Sequence, residues 1–376
     1  MDDRLLTNLW EVIIMADVSV KLFDMEFDNP VMPAAGPTVK DSEMAFAARD
    51  GGAGAIVTKT ISVKAAEVPR PNMAETKSGF MNSELWSEMS PEKWLEEEYP
   101  EIVKTDLPII VGLGYKKDEI KELAQKVEKY ADALELSTHY LGDDPTPVIE
   151  SVKAAKSVVD IPVLVKLSPQ IDIPTFAKAA EDAGADGIVL INSFGPTLDI
   201  DINTGKPVMG SDNGFGWLSG EAIFPLALRC VFQAVNTVDI PVIGVGGISN
   251  GQDAVKMIMA GAEAIQVCTE AIINGPQVYG KIAKEIEEFL DKHGYDNLED
   301  IRGLAQKEAP DTANFETIPP TVDREACTGC NLCVRSCVYN AIELDEDNIA
   351  VVNKEKCAGC GLCVTRCNFD ALHIKR

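Results

Sequence analysis

The sequence predicts an α/β chain in two parts, a parallel (β/α)8 barrel followed by a small cysteine-rich module. Three observations carry this. From about residue 29 to residue 293, short apolar runs alternate with amphipathic stretches, and the alternation occurs eight times. A small-residue junction recurs just before these runs: GGAGAIV at 51–57, ADALEL at 131–136, AGADGIV at 183–189 and AGAEAIQV at 260–267. Finally, eight of the ten cysteines fall in the last 50 residues, in two identically spaced groups.

The strands are expected at Pro30–Gly36, Ala55–Thr60, Pro108–Gly114, Ala133–Thr138, Pro162–Ser168, Gly187–Ser193, Pro241–Ile248 and Ala264–Thr269. Each is short, β-branched or apolar and nearly continuous, as a strand buried on both faces must be. Helical periodicity fills most of the gaps, for example at Lys117–Tyr130 and Ile173–Ala183. The glycines of the junctions read as helix stops leading into the next strand. An open doubly wound sheet is the competing architecture, and the count of eight favours closure into a TIM barrel. The expected division is an N-terminal extension at 1–17, a barrel at 18–303, a polar linker at 304–320 and a C-terminal module at 321–376.

Cys327, Cys330, Cys333 and Cys337 read C-x-x-C-x-x-C-x-x-x-C, and Cys357, Cys360, Cys363 and Cys367 repeat it 30 residues later. That is the ligand run of a bacterial 2[4Fe-4S] ferredoxin-like domain, in which the fourth cysteine of each run ligates the other cluster. One cluster is therefore assigned Cys327, Cys330, Cys333 and Cys367, its neighbour Cys357, Cys360, Cys363 and Cys337. Val338 and Asn368 replace the usual proline after each fourth cysteine, a mild departure because that proline ligates nothing. Zinc is the alternative for paired C-x-x-C elements, yet a zinc ribbon has no use for a third cysteine in each run.

Composition sets bounds. The 376 residues suffice for a large core plus a small module. A net charge of −26 without a basic patch argues against nucleic acid as a partner; the plainer role of this acidity is solubility. No apolar run reaches the length of a membrane span. The first residues make a poor signal peptide, and Met15 offers a second start that would leave fourteen residues as an appendage. Cubane clusters need reduced thiols, which points to a cytoplasmic and anaerobic setting.

A barrel carries its chemistry at the C-terminal ends of its strands. Those ends read Ala34-Ala35-Gly36-Pro37, Thr58-Lys59-Thr60, Lys166-Leu167-Ser168-Pro169, Asn192-Ser193, Gly246-Gly247-Ile248 and Gln266-Val267-Cys268-Thr269. The small residues of strand one let a planar ring lie against backbone. The glycines of strand seven, followed by a helix from Asn250, offer N–H groups to a phosphate. A barrel-mouth lysine also has a plain reading, snorkelling to water. Two lysines, an amide and a phosphate cradle in one ring point instead to a phosphorylated, electron-rich cofactor.

The strings NPVMPAAG, IVTKT, SGFMNSELWSE, VLVKLSP, LSGEAI, IGVGGIS and AIQVCTE resemble the FMN-dependent dihydroorotate dehydrogenases and dihydropyrimidine dehydrogenase, over about residues 18–300. The tail resembles that of the iron–sulfur subunit of the latter's bacterial form. The resemblance implies FMN over the barrel mouth, with Ala34, Ala35, Gly36 and Thr58 in its site. It implies that Lys59 and Lys166 lie near the pyrimidine end of the ring and that Asn192 contacts flavin or substrate. Ser219-Gly220, Gly246-Gly247 and Cys268-Thr269 would hold the phosphate, Cys268 through its backbone. Cys230 reads as core. Family resemblance also favours a dimer, so a homo- or hetero-oligomer is expected.

The departures are as informative. The family carries its acid/base in a string N-L-S-C-P after strand four, where this chain has Glu135-Leu136-Ser137-Thr138-His139-Tyr140. Ser137 stands at the substrate-binding asparagine and Tyr140 nearest the catalytic cysteine; the asparagine expected after strand three is absent from GLGYKKDE. The expected proton donors are therefore Tyr140 and His139, although a loop histidine is more often an ordinary surface residue. A site built to pair amide edges would be left with the wrong groups, so neither dihydroorotate nor uracil is expected as substrate.

No G-x-G-x-x-G follows a strand and opens a helix, so no nicotinamide fold is expected. Electrons must pass through the C-terminal clusters, to or from a ferredoxin or a separate FAD- and NAD(P)-binding subunit. Three functional readings stand at this point. The first is an oxidoreductase subunit acting on CH–CH or C=C bonds of an unidentified small molecule. The second is a dihydropyrimidine or dihydroorotate dehydrogenase with an altered loop, and the third a non-catalytic electron relay.

Overall fold

A computed structural model of the protein describes residues 15–137, 141–310 and 312–374. The chain divides after Glu308 into two compact units.

The first unit is built on eight strands: β1 (Val31–Pro33), β2 (Ile56–Val57), β3 (Ile109–Leu113), β4 (Ala133–Ser137), β5 (Val163–Leu167), β6 (Gly187–Leu190), β7 (Val242–Val245) and β8 (Ala264–Val267). They lie in the order β1-β8-β7-β6-β5-β4-β3-β2, and each pair is parallel. The seam between β1 and β2 is bridged where Gly54 N donates to Val31 O at 2.8 Å. All eight expected strands are present, with ends trimmed by at most three residues. Their continuous apolar runs are explained by burial on both faces, complete along β3, β4 and β5.

The helices obey the same logic. Lys117–Val127 buries Ile120, Leu123, Ala124 and Val127, one stripe at helical spacing against the barrel. Asp41, Asp172 and Asn250 cap three helices, each accepting from a backbone N–H of its first turn. The junction glycines Gly52, Gly184 and Gly261 all take positive φ, 90°, 98° and 93°, where each helix stops before its strand.

Two elements escaped the sequence reading. A hairpin of Val20–Leu22 and Met25–Phe27 sits at the N-terminal end of the barrel, with Phe23 at its turn reaching toward Gly187 at the foot of β6. At the opposite end, a four-stranded antiparallel sheet runs in the order Phe194–Thr197, Gly216–Ser219, Gly79–Asn82, Met73–Thr76. Its strands come from the long segments after β2 and β6, so it roofs the face where a barrel holds its site.

Two boundaries move. Ala16 N donates to Asp291 Oδ1 and Asp17 N to Asp296 O, both at 2.9 Å, so these residues already belong to the barrel unit. The first part of the expected linker is a helix, Leu304–Glu308, whose Gln306 Nε2 donates to Ala260 O at 2.6 Å. Free composition suggested a linker there; helical packing on the barrel overrides it. None of the described helices is long and apolar enough to cross a membrane.

The second unit is a repeat about its two cysteine runs. Thr321–Val322 pairs with Leu372–His373, and Ile342–Leu344 with Ala350–Val352. Short helices Leu332–Ser336 and Leu362–Thr365 each bury the third cysteine of a run, Cys333 and Cys363. Residues 30 apart share positive φ, as at Gly329 and Gly359 or Asn340 and Asp370. The small apolar core consists of Ile342, Ala350 and Leu372 with those two cysteines.

Candidate active site

A cavity opens at the C-terminal ends of the strands, between the barrel and its roof. Ala34, Ala35, Gly36, Lys59, Lys166, Asn192, Ser219, Gly220, Gly246, Gly247, Cys268 and Thr269 all line it. Thr58 does not. It is fully buried with its hydroxyl accepting from Gly112 N at 3.3 Å, because alternate residues of a strand face opposite sides and Lys59 takes the inward position. Gly36 is needed for close approach, since a Cβ there would lie 2.8 Å from Cys268 Sγ.

Each lysine of the cavity is held by a carboxylate. Lys166 Nζ lies 3.2 Å from Glu135 Oε1 and 3.0 Å from Gln266 Oε1, while Gln266 Nε2 donates to Glu135 Oε2 at 2.6 Å. Glu135 is entirely buried, one inward position below Ser137 on β4. Lys59 Nζ lies 2.7 Å from Glu84 Oε2, and Asn72 Nδ2 donates to the other oxygen of Glu84. Asn192 Nδ2 reaches Ser137 Oγ at 3.4 Å. Burial pushes the Cys268 thiol up despite the opposing pull of Lys166 and Lys59, so it stays protonated. Burial likewise pushes the Tyr115 hydroxyl up to about 12.

The far end is a cradle of backbone. Gly220, Gly246 and Gly247 have φ of 78°, 125° and 76°, turning their peptides into conformations that a side chain resists. A Cβ at Gly247 would meet Phe224 N at 2.7 Å and Gly220 O at 2.8 Å. Thr269 Oγ1 donates to Ser219 Oγ at 2.9 Å beside them. The helix from Asn250, expected to face a phosphate, has its first amides taken: Gly251 N donates to Glu285 Oε2 at 2.6 Å and Asp253 N to Asn250 Oδ1 at 3.0 Å. The cradle is the glycine turns.

Sequence reasoning missed Asn82, Glu84 and Tyr115, which also line the cavity, as do Ser193 and Gln266 at their expected strand ends. Asn82 and Glu84 sat in plain view within SGFMNSELWSE, but nothing in the string says that the segment folds back over the barrel. With Asn82 and Asn192 both at the cavity, the loss of amides is smaller than the β3 and β4 loops alone suggested. His139 and Tyr140, the expected proton donors, lie outside the described residues.

In the second unit Cys327, Cys330 and Cys333 line a pocket together with Cys367 from the other run. Among the described residues no three His, Cys or carboxylate groups converge as one ion would require. The thiols of Cys327, Cys330, Cys333 and Cys367 face one space, an arrangement that fits a polynuclear cluster. Backbone N–H groups point at cysteine sulfurs, Ala350 N to Cys327 Sγ at 3.5 Å and Ala371 N to Cys367 Sγ at 3.3 Å; such bonds would tune a cluster held by these thiols.

The profile described as dihydroorotate dehydrogenase matches residues 17–290, nearly the whole first unit. The chain belongs to this family. A second profile, the 4Fe-4S dicluster domain, matches residues 320–374. Among curated relatives is a protein of Methanothermobacter thermautotrophicus named dihydroorotate dehydrogenase B (NAD(+)), catalytic subunit, 36% identical over 301 residues. That match covers 77% of this chain and 98% of the relative. Proteins of the same name in Pyrococcus abyssi and Methanosarcina mazei are each 38% identical, over 77% and 76% of this chain and 99% and 94% of their own lengths. As a member of this family the chain is an oxidoreductase acting on CH–CH groups, which sets aside the non-catalytic relay. Its cofactors are FMN and the iron–sulfur clusters of the dicluster domain. The glycine cradle, the small-residue plate of β1 and the paired lysines fit a phosphorylated flavin.

Proposed function

We propose that the chain is the catalytic subunit of an FMN- and iron–sulfur-dependent oxidoreductase that adds or removes a hydrogen pair across a C–C bond of a small ring compound. One observation carries this: a single cavity gathers the two lysines, the three glycine turns and the amides Asn82 and Asn192. When bound, FMN supplies hydride transfer and the clusters supply single-electron carriage.

The chain's own residues supply the rest. Gly220, Gly246, Gly247, Ser219 and Thr269 hold the phosphate. Ala34, Ala35, Gly36 and Cys268 form the wall against which the flavin rests. Lys166, fixed by Glu135 and Gln266, provides a positive charge that cannot wander. Lys59, Asn82 and Asn192 orient the substrate. The proton is assigned to the loop after β4, through His139 or Tyr140. Cys327, Cys330, Cys333 and Cys367 hold one cluster, and Cys357, Cys360, Cys363 and Cys337 the other. The partner is a separate electron carrier, a ferredoxin or an FAD- and NAD(P)-binding subunit, in keeping with relatives named as catalytic subunits. Reduced thiol ligands put the protein in the cytoplasm, as a homo- or hetero-oligomer.

Dihydroorotate is the second reading of the substrate, favoured by the names of relatives matched almost end to end. The missing asparagine at Ser137 opposes it. Anaerobic protein, checked for bound flavin and for about eight irons per chain, should be mixed with dihydroorotate, dihydrouracil and other saturated rings. Bleaching of the flavin by any of them supports the proposal. Absence of bound flavin, or a flavin inert to every such compound and to their unsaturated partners, would refute it.

A further inference from the structure

The glycine cradle has no counter-charge of its own, and a turn of the roof supplies one; this inference rests on the function just proposed. Among the described residues lining the main cavity the cations are Lys59 and Lys166, and carboxylates engage both, at 2.7 Å and 3.2 Å. The cradle itself offers a phosphate only backbone N–H groups and the hydroxyls of Ser219 and Thr269. Gly220, Gly247 and Thr269 also line a second pocket, bordered by the exposed Glu75, Lys77 and Ser78. Lys77 is the one cation among the described residues of that pocket, and it pairs with no described carboxylate. Glu75, Glu221 and Glu270 line it too, so an anion in the cradle is set among carboxylates with a single ammonium to oppose them.

The turn that carries Lys77 is fixed against the cradle. Thr76 pairs with Gly79, which leaves Lys77 and Ser78 as a two-residue hairpin loop. Phe80 pairs with Ser219, and Ser219 Oγ donates to Phe80 O at 3.2 Å. A Cβ at Gly79 would lie 2.7 Å from Ser219 O, and one at Gly220 would lie 3.4 Å from Gly79 Cα. Lys77 thus stands two residues from a backbone contact with Gly220, within the span of a lysine side chain.

We propose that Lys77 is a cofactor-binding residue whose ammonium closes the phosphate cradle from the solvent side. It makes retention of the flavin depend on the flavin's phosphate. A phosphate monoester carries close to two negative charges at neutral pH. A half-solvated cation a few ångströms from it is worth on the order of 5- to 30-fold in affinity at low salt.

The test uses the full chain with its clusters in place and its flavin removed. It reads equilibrium binding of FMN, and of riboflavin as the same ring without the phosphate, from quenching of flavin fluorescence at low ionic strength. Lys77→Ala should weaken FMN by at least about 5-fold and riboflavin by less than about 2-fold, while Lys77→Arg keeps FMN within about 3-fold. Lys21→Ala, on the hairpin at the opposite end of the barrel, removes the same charge and should move FMN by less than about 2-fold. Unchanged FMN affinity in Lys77→Ala, an equal loss for both flavins, or an equal loss from Lys21→Ala overturns the proposal. Where riboflavin binds too weakly to measure, salt decides: added salt should weaken FMN less in Lys77→Ala than in the wild type, and equal slopes overturn the proposal. Wild-type protein that binds neither flavin sinks this inference and the proposed function together. Wild-type protein that holds FMN and reacts with a C–C substrate, beside a Lys77→Ala variant of equal FMN affinity, sinks this inference alone.

Discussion

Replacing Glu135 by alanine should destabilise the barrel by about 3–5 kcal/mol. The magnitude follows from what the change leaves behind. Glu135 is fully buried and Lys166 nearly so. Without the carboxylate, Lys166 keeps a single contact, to Gln266 Oε1 at 3.0 Å, and its charge sits uncompensated in a place water scarcely reaches. Gln266 Nε2 loses its 2.6 Å acceptor as well, a further penalty of about 1–3 kcal/mol if nothing replaces it. Changing both charged residues, Glu135→Leu with Lys166→Met, removes the desolvation problem altogether and should cost less than Glu135→Ala alone. The assay is denaturant unfolding of flavin-free protein followed by tryptophan fluorescence. All four tryptophans precede residue 218, so the signal reports the barrel unit and not the cluster unit. A loss below about 1 kcal/mol for Glu135→Ala, or a double variant weaker than the sum of the singles, would refute the reasoning.

Other predictions follow from the same geometry. Gly247→Ala should abolish flavin retention on a desalting column while leaving the far-ultraviolet spectrum intact, because the added carbon collides with backbone at Phe224 and Gly220. Cys367→Ser should disturb the same reduced-cluster paramagnetic signal as Cys327→Ser, and Cys337→Ser the signal disturbed by Cys357→Ser; pairing within each run instead would contradict the crossed ligand sets. Burial raises the hydroxyls of Tyr99 and Tyr279 above the ordinary value near 10, and that of Tyr115 to about 12. Above about pH 10 the unfolded chain releases these protons and the folded chain keeps them, so stability falls as pH rises, by roughly 1.4 kcal/mol per unit for each such tyrosine. Tyr279→Phe should flatten that slope in urea titrations between about pH 10 and 11, and an unchanged slope would exclude the tyrosine as its source.

The barrel was legible because a strand buried on both faces writes itself as an unbroken apolar run, as at Ile109–Leu113 and Val163–Leu167. The cluster module was legible because ligand spacing is covalent and local. What stayed hidden is long-range. MAET, GFMN, FGPT and GWLS carry no clean alternation, so the roof sheet gave no signal of its own. Lys166 announced a site, yet its partners lie 31 and 100 residues away in the chain. Thr58 looked equivalent to its neighbour Lys59, and only the inward or outward alternation of β2 separates them. The glycines before Asn250 suggested a helix terminus open to phosphate; a side chain from the distant Glu285 occupies it instead.

The roof has one implication for how such a site can change. Phe80, Asn82 and Ser219 belong to one ladder, with Trp217 opposite Asn82, Leu218 opposite Met81 and Ser219 opposite Phe80. The segment that feeds Glu84 to one end of the cavity is thus laced to the segment that grips the other end. An insertion that slipped this pairing by one rung would displace selectivity and cofactor retention in a single stroke. Variation in what the protein accepts is therefore expected as side-chain replacement at fixed loop length here, and as changes of length only in segments that leave these rungs in place.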